Sequence, residues 1–420
     1  MITLSFSASI IWAIAAMATG GVILRPWQLP EALWAVLGAL ALVLLGLLPW
    51  SAALAAVAKG SDVYLFLAGM MLLSDLARQE GLFEHIAALA VKRSQGSSSR
   101  LFALVYGVGT VVTVFMSNDA TAVVLTPAVY AASRVARAEP LPHLLACAFI
   151  ANAASFVLPI SNPANLVVFG AAMPRLFEWL QRFWLPSVAS IFATYWVLRR
   201  LHSVPLRAPI ASDIEVPPLQ RSGRWAAIAL GTAAVLLLSA SARGAPLGLV
   251  TFITGALAVI AVHALRRRAP WVLLREVSWS ILPLVAGLFV LVAALDRTGV
   301  TAALGVLLQH SAQRSVAGAV WGSGIITALA CNVLNNLPTG LIAGSTVTAS
   351  HMSPQVTSAI MIGVDLGPNL SVTGSLASIL WLIALRREKQ HVSARNFLKL
   401  GALLMPAALL PALAILMLRG

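Results

Sequence analysis

Charged residues are scarce in this sequence: Asp, Glu, Lys and Arg make up 10% of the chain, and hydrophobic residues make up 60%. A soluble domain carries roughly 25% charged residues, because its surface faces water. Apolar stretches of about 17–25 residues, the length that crosses a bilayer, recur along the whole chain. The longest polar stretch, near 201–224, is too short for a soluble domain. These proportions predict a polytopic membrane protein.

Motifs for catalysis, metal binding and nucleotide binding are also missing. The two cysteines, Cys147 and Cys331, stand in apolar surroundings without the spacing of a disulfide framework or a metal site. The sequence has no Walker A phosphate-binding motif, no H-E-x-x-H and no G-x-S-x-G. We therefore expect no cofactor, no resident metal and no ATPase activity in this chain. Its first apolar stretch, 5–24, lacks the features of a cleaved signal and is predicted to be a span.

The net charge of +14 is explained by where the basic residues stand. In a soluble protein such an excess suggests nucleic-acid binding, but here Lys and Arg lie between apolar segments, so the lipid bilayer is the expected partner and nucleic acid is not. One side of the membrane receives 21 of the 28 basic residues and the other receives seven: Lys59, Arg175, Arg182, Arg243, Arg297, Arg314 and Arg419. The richer side is expected to be cytoplasmic. This places the linker 201–224 in the cytoplasm and both termini in the periplasm of a bacterial inner membrane.

The chain contains two copies of one plan, 1–200 and 225–420, joined by the linker 201–224. Residues of the linker exclude a membrane helix there: Ser212, Asp213, Glu215, Pro217 and Pro218. Each half has three spans, an amphipathic stretch, an apolar hairpin, an apolar stretch with a polar break, and a closing span. The predicted spans and apolar stretches, hairpin arms aside, are 5–24, 31–49, 62–78, 141–172, 183–198, 225–241, 248–264, 279–295, 355–385 and 397–418.

The two halves also share a register. Gly81 precedes Asn118 of the first hairpin by 37 positions (118 − 81), and Gly299 precedes Asn336 of the second by 37 (336 − 299). Five spans in each half, an odd number, invert the second half relative to the first. The expected fold is therefore an all-α polytopic membrane protein with about ten transmembrane helices plus two re-entrant hairpins. Two inverted repeats with broken helices are typical of secondary transporters.

Four polar clusters interrupt the apolar segments: hairpin tips near 117–121 and 332–339, and helix breaks near 159–165 and 365–369. Irregular backbone at membrane depth is tolerated only inside protein or beside a watery cavity. One such cluster could equally be explained by helix packing and a proline kink, whereas four in matching order favour one shared binding site. The candidate substrate-binding residues are Ser117, Asn118, Thr121, Ser161, Asn162, Asn165, Asn335, Asn336 and Asn369.

Only two acidic residues fall inside these clusters, Asp119 and Asp365. A carboxyl group within the membrane is costly and is by default functional, so both are candidates for proton coupling, and the sequence does not decide between them. Asp75 and Asp296, near span ends, are more simply explained as solvated or ion-paired. Cys331 precedes the second hairpin tip, but a buried cysteine is more often a small hydrophobic residue than a ligand, so it is a weak candidate for an arsenic contact.

Several long runs resemble the ArsB family of arsenite/antimonite efflux proteins, within a wider ion-transporter superfamily. They include FLAGMMLLSDLARQEGLFEHIAALAVKR (66–93), RLFALVYGVGTVVTVFMSNDATAVVLTPAV (100–129), ACAFIANAASFVLPISNPANLVVFG (146–170), NVLNNLPTGLIAGS (332–345) and GVDLGPNLSVTGSLASILWL (363–382). The resemblance implies export of neutral arsenite or antimonite in exchange for protons, a hairpin and a broken helix in each repeat, and, in some members, a cytoplasmic ATPase partner. Dicarboxylate carriers of the superfamily have Ser-Asn-Thr at both tips, which this chain lacks.

Three other functions are compatible with parts of this pattern. The nearest is a Na⁺/H⁺ antiporter or another small-solute carrier of the same fold, which a sodium-dependent rate without arsenite would favour. An intramembrane aspartyl enzyme would use Asp119 and Asp365 as a pair and would cleave peptides. A channel would conduct without any response to a pH gradient.

Overall fold

The computed structural model describes residues 6–211, 214–266 and 271–419. Ser5 at the start of the first predicted span, Ser212 and Asp213 of the linker, and Arg267 and Arg268 of the basic side lie outside these residues. The described part of the chain is helical throughout, apart from turns and a single isolated bridge between Ser97 and Pro209. This is the all-α fold that the sequence predicts.

Within the described residues, the first half contains eleven α-helices. They are α1 (Phe6–Leu24), α2 (Glu31–Leu44), α3 (Trp50–Lys59), α4 (Ser61–Gln79), α5 (Leu82–Ser94), α6 (Ser98–Met116), α7 (Asn118–Ala120), α8 (Thr126–Val135), α9 (Pro140–Ala153), α10 (Pro163–Phe169) and α11 (Leu176–Leu201).

The second half contains ten helices within the described residues. They are α12 (Arg221–Arg243), α13 (Leu247–Arg266), α14 (Trp271–Glu276), α15 (Ile281–Asp296), α16 (Val300–Arg314), α17 (Val316–Leu334), α18 (Asn336–Ser350), α19 (Pro354–Leu366), α20 (Leu376–Arg387) and α21 (Ala394–Leu418).

Six of the described helices are long and apolar enough to cross a membrane: α1, α6, α12, α13, α17 and α21. Two bent pairs raise the number to eight, α3 with α4 at 47° and α15 with α16 at 72°. The hairpin arms α6 and α17 are among the six, so each hairpin has a first arm of full crossing length. The ten spans predicted outside the hairpins correspond to α1, α2, α4, α9 with α10, α11, α12, α13, α15, α19 with α20, and α21.

The order of helices repeats from α4 to α11 and again from α15 to α21, with α7 and α8 of the first half corresponding to the single helix α18. The repeat is visible in the residues that begin each helix: Gly81 and Gly299 have φ of 69° and 83° and precede α5 and α16. Ser97 and Ser315 cap α6 and α17 by accepting a backbone N–H three residues later. Because each pair is separated by 218 positions (299 − 81 and 315 − 97), the two halves agree in local detail as well as in hydropathy.

The halves interlock through two matching helix contacts, α4 with α13 and α2 with α15. Gly69 and Gly255 lie where α4 crosses α13, and a Cβ on either glycine would meet backbone atoms of the other helix. Small residues allow such close approach of membrane helices. Each half therefore supplies part of the packing surface that the other half needs.

Polar contacts fasten the end of α4 to the second half. Arg78 forms ion pairs with Asp75 at 3.1 Å and with Glu276 at 2.8 Å. The carboxylate of Glu80, which is almost completely buried, pairs with Arg266 at 3.1 Å. This pair joins the junction between α4 and α5 to the end of α13. Removing either partner would leave an uncompensated charge in a buried position.

The Arg78–Glu276 pair should make a small, pH-dependent contribution to stability. Hydrogen bonds from Arg78 and then Gln79 lower the pKa of Glu276 below its ordinary value of 4.5. The ion pair therefore stabilises the folded protein fully above that pH, and this stabilisation is lost as the pH falls through the lowered pKa of Glu276. We expect Glu276→Gln to reduce the thermal midpoint in detergent slightly at pH 7, and the difference from wild type to disappear at acid pH. A difference that grows on acidification would contradict this assignment. Because Glu276 is well exposed, the effect is small.

Candidate substrate and ion site

Each hairpin tip is a single residue with positive φ that also caps the second arm. Ser117 has φ of 129° and Asn335 has φ of 76°. Ser117 Oγ accepts the N–H of Ala120 at 3.4 Å, and Asn335 Oδ1 accepts the N–H of Leu337 at 3.3 Å. The second arms therefore begin at Asn118 and Asn336, the asparagines that the shared register of the sequence aligns.

The interior of the first hairpin is closed by threonines. Thr121 Oγ1 lies 2.8 Å from Thr113 Oγ1 and donates to the Gly109 carbonyl at 3.4 Å. The helix widens into a π turn at Thr121–Leu125, where Thr126 Oγ1 donates to the Thr121 carbonyl. Thr121 and Ser117 thus use their hydroxyl groups to hold the hairpin together.

Other groups at the tips have no such partner. Among the described residues, the Asn118 amide nitrogen, the Asp119 carboxylate and the Asn336 side chain form no hydrogen bond, although Asn118 Oδ1 accepts the Asp119 N–H. Asn118 and Asn336 are nearly buried, and Asp119 is half-buried. These three side chains are therefore candidates for contact with a solute.

The first helix break lies at 154–162, earlier than the predicted 159–165. Helix α9 ends at Ala153, and Pro159 and Pro163 have no N–H groups to donate to the carbonyls of Ser155 and Pro159. The Asn165 side chain supplies a donor in their place. Asn165 Nδ2 donates to the carbonyls of Ser155, Leu158 and Pro159 at 3.0, 3.2 and 3.3 Å. Ser161 Oγ then donates to the Val114 carbonyl of α6 at 3.0 Å, which ties the break to the first hairpin. Asn165 and Ser161 are therefore supports of the break.

The second break, at 367–375, extends beyond the predicted 365–369. Asn332 of α17 holds it: its Nδ2 donates to the Gly367 carbonyl at 3.0 Å, and its Oδ1 accepts from Ser371 Oγ at 2.7 Å. Thr373 Oγ1 donates to the Asn332 carbonyl at 3.1 Å, and Asn335 Nδ2 donates to the Thr373 carbonyl at 3.2 Å. Sequence reasoning did not include Asn332, Ser371 or Thr373 among the site residues.

The two breaks meet through a buried hydrogen bond between the halves. Asn162 Nδ2 donates to Asp365 Oδ1 at 2.7 Å. Asn152, which sequence reasoning also missed, donates from Nδ2 to Asn369 Oδ1 at 3.1 Å and lies 3.5 Å from Ser378 Oγ. All of these side chains are at most 2% exposed. The structure thus brings Asn162, Asp365 and Asn369 together around Asn152.

Three atoms of this cluster are buried without a partner, Asp365 Oδ2, Asn152 Oδ1 and Asn369 Nδ2, as is Asn165 Oδ1 of the first break. An unpaired buried polar atom costs about 1–3 kcal/mol, so this cluster is a candidate site for a proton, an ion or a hydrogen-bonding solute. Asp119 belongs to the first hairpin and makes no hydrogen bond to this cluster among the described residues.

Cys331 adjoins the cluster but is engaged elsewhere. Its Sγ is buried and lies 3.7 Å from the carbonyl oxygen of Val364. In the part of the chain that the structure describes, no three His, Cys, Asp or Glu side chains are placed to hold a metal ion.

The broken helix of each half packs on the hairpin of the other half. Helix α10, which follows the first break, packs on α18 of the second hairpin, and α20 packs on α7 and the π turn of the first. A Cβ at Gly344 of α18 would lie against the carbonyl oxygens of Val168 and Val167 in α10. The arrangement of broken helices and buried polar groups within a membrane bundle defines a multi-pass membrane transporter.

The chain belongs to the CitMHS family, whose model, described as Citrate transporter, matches residues 10–368. A Yersinia enterocolitica protein named Arsenical pump membrane protein is 28% identical over 369 residues, 83% of this chain and 84% of its own length. The protein of the same name from Escherichia coli strain K12 is 27% identical over 369 residues, with the same coverage. A Bacillus subtilis protein named Putative arsenical pump membrane protein is 25% identical over 420 residues, 92% of this chain and 94% of its own.

The crystal structure of the Alcanivorax borkumensis YdaH transporter has the same overall fold. It aligns with a TM-score of 0.56 and 18% identity, covering 87% of this chain and 86% of that one. The resemblance to arsenical pump proteins and the expected fold are thereby confirmed, and the protein is a transporter rather than an enzyme.

Proposed function

We propose that this protein exports arsenite and antimonite from the cytoplasm in exchange for protons. Support comes from the arsenical pump proteins that it resembles along most of its length. The observation that carries the proposal is the buried bond between Asn162 and Asp365, which joins the two halves at their helix breaks. A lone carboxyl group among neutral amides, inside a membrane bundle, suits a site that gains and loses a proton during transport.

The composition of the site favours an uncharged solute. No Lys, Arg or His occurs in the hairpin tips or in the two breaks. Undissociated arsenite carries hydroxyl groups, which amide and hydroxyl side chains can bind as donors and acceptors. In this proposal Asn118, Asn336 and Asn369 contact the solute, Asp119 and Asp365 are the candidate proton carriers, and supporting positions shape the site: Ser117, Thr121, Ser161, Asn162, Asn165 and Asn335.

Cys331 has no role in this proposal. A single thiol would hold trivalent arsenic firmly instead of releasing it, and the thiol already faces the Val364 carbonyl.

The proposed orientation places the linker in the cytoplasm and both termini in the periplasm. Contacts of the linker support one common side for the basic loops: the N–H of Ile210 donates to the Gly96 carbonyl at 3.0 Å, and the N–H of Ala211 donates to the Ala136 carbonyl at 2.8 Å. On the opposite side, Arg419 at the end of α21 lies beside α11, where its Nη1 donates to the Gln181 carbonyl at 3.0 Å. The basic residues between α5 and α6 and after α8 therefore lie with the linker, as the positive-inside rule requires.

Transport into inside-out vesicles tests the function directly. We expect arsenite to accumulate when a pH gradient is imposed and accumulation to vanish when a protonophore collapses that gradient. Entry that only equalises the arsenite concentrations, with or without the pH gradient, would replace the exchanger with a channel. Accumulation that needs added ATP and no pH gradient would replace it with a pump driven by a partner ATPase. Absence of accumulation under every condition would remove arsenite as the substrate.

Citrate is the second candidate, because the matching family model is described as Citrate transporter. Citrate is multiply charged at neutral pH, and the absence of basic residues from the four clusters disfavours it. Labelled citrate and sodium therefore belong in the same vesicle assay. Citrate uptake, or sodium-driven exchange without arsenite, would replace the proposed substrate and leave the fold unaffected.

A further inference from the structure

The two helix breaks share one register, although the second has an additional 3₁₀ turn, Gly367–Asn369, directly after its first helix. Helices α9 and α19 end at Ala153 and Leu366, the 3₁₀ turns that precede α10 and α20 begin at Pro159 and Val372, and α10 and α20 begin at Pro163 and Leu376. Every pair is 213 positions apart (366 − 153, 372 − 159 and 376 − 163). The caps of α10 and α20 agree too, since Asn162 and Ser375 each accept a backbone N–H of the helix that they start.

This register makes Asn152 the counterpart of Asp365 (365 − 152 = 213). Both stand next to last in the helix before the break, and both are at most 1% exposed. Each bonds a residue of the opposite half: Asp365 accepts from Asn162, and Asn152 donates to Asn369. Each also keeps one oxygen without a partner, Asp365 Oδ2 and Asn152 Oδ1. The repeated site therefore carries a carboxyl group in one half and a neutral amide in the other.

No other charged side chain faces Asp365 from the described helices that pack on α19. Helices α10 and α18 contain no titratable residue, and α17 contributes only Cys331, which faces Val364. On α21, Arg395 and Lys399 are exposed. On α9, Cys147 and His143 stand five and nine positions before Asn152, away from the break.

We propose that Asp365 and Asn152 form one repeated buried site that carries a single proton in each transport cycle, on Asp365. This inference rests on the proposed proton-coupled function and extends it to the residue and the stoichiometry. Facing the periplasm, the Asp365 carboxylate takes one proton from water. Facing the cytoplasm, the carboxylic acid returns that proton to water, and arsenite is then bound for export. One positive charge enters for each neutral solute that leaves, and no bond other than the carboxyl O–H forms or breaks.

The test is the final arsenite gradient in inside-out vesicles under a difference of one pH unit, with the membrane potential clamped at zero. Exchange of one proton per solute gives about a tenfold gradient, and two protons would give about a hundredfold gradient. We expect about tenfold for the wild type and no gradient for Asp365→Asn. The double variant Asn152→Asp/Asp365→Asn, which moves the carboxyl group to the equivalent position of the first half, should recover a gradient. Asp296→Asn is the matched control and should keep the wild-type gradient, since the Asp296 side chain bonds only to Thr301 among the described residues.

The outcomes separate this inference from the proposed function. Wild-type vesicles that accumulate no arsenite would contradict the proposed function itself. A wild type that accumulates arsenite while Asp365→Asn retains the full gradient would overturn the assignment to Asp365. In that case Asp119→Asn would be examined in the same way. A wild-type gradient of about a hundredfold would overturn the single proton. If the double variant elutes as aggregate, the wild-type gradient and the gradient of Asp365→Asn, which must elute as a single species, still test the proposal.

Discussion

Asn162→Ser is expected to abolish most arsenite transport while the protein remains folded. Serine can cap α10 as Ser375 caps α20, so the helix start is preserved. The shorter side chain cannot reach Asp365, whose Oδ1 lies 2.7 Å from the Asn162 amide. A hydrogen bond to a charged group contributes about 1.5–3 kcal/mol, so the expected loss is roughly ten- to hundredfold in initial rate.

The measurement is the initial rate of arsenite uptake per assembled protein, together with the thermal midpoint in detergent. The control is Ser375→Asn, which puts the larger cap in the second half and should retain transport, because Ser375 bonds only within its own half. A variant Asn162→Ser that transports at the wild-type rate would show that the bond between the halves is dispensable. Loss of transport together with a large fall in the thermal midpoint would instead indicate a purely structural role.

Gly363→Ala is expected to damage both stability and transport. A Cβ at this position in α19 would collide with the backbone oxygen of Gly324 and would lie 3.1 Å from the backbone nitrogen of Ala328. Backbone atoms cannot rotate away, so α17 and α19 would have to separate at the start of the second break. Overpacking of this kind costs about 1–3 kcal/mol, and the displacement would reach Asp365, two positions later.

Gly322→Ala on α17 is the matched comparison, because nothing lies within 4 Å of a Cβ built there. Exchanging glycine for alanine in an open helical position is expected to be neutral or slightly stabilising. Thermal midpoints and uptake rates of the two variants should therefore diverge. Equal behaviour would mean that α17 and α19 are not packed backbone to backbone.

Local signals in the sequence were enough to predict the hairpins. A polar cluster at the end of an apolar run predicts each tip, at Asn118 and at Asn336, and the structure begins the second arms at these residues. Glycine with positive φ and a capping serine or asparagine leave such signals because they act within a few residues.

Contacts between distant residues left no local signal. Asn152 stands in a smoothly apolar helix, and its partner Asn369 is 217 positions away. The limits of the breaks also differ from the prediction: Pro159 marks the first break in the sequence, whereas α9 already ends at Ala153 and the Asn165 side chain reaches back to the Ser155 carbonyl within the break. Helix α3 was missed because the stretch 50–59 is short and lies against a longer span. Hydropathy reports the medium around a segment and not its partner.

The spacing between the bonded residues also sets the order in which the protein can be completed. Asp365 is synthesised 203 residues after Asn162, which at about 5–20 residues per second is a delay of roughly 10–40 seconds. During that time the first half is in the membrane with the Asn162 amide unmatched, and with α4 lacking α13. The first break can be held early by Asn165, whose carbonyl partners are at most ten residues away. The first broken helix can therefore form early, whereas the bond between Asn162 and Asp365 forms only after α19 has entered the bilayer.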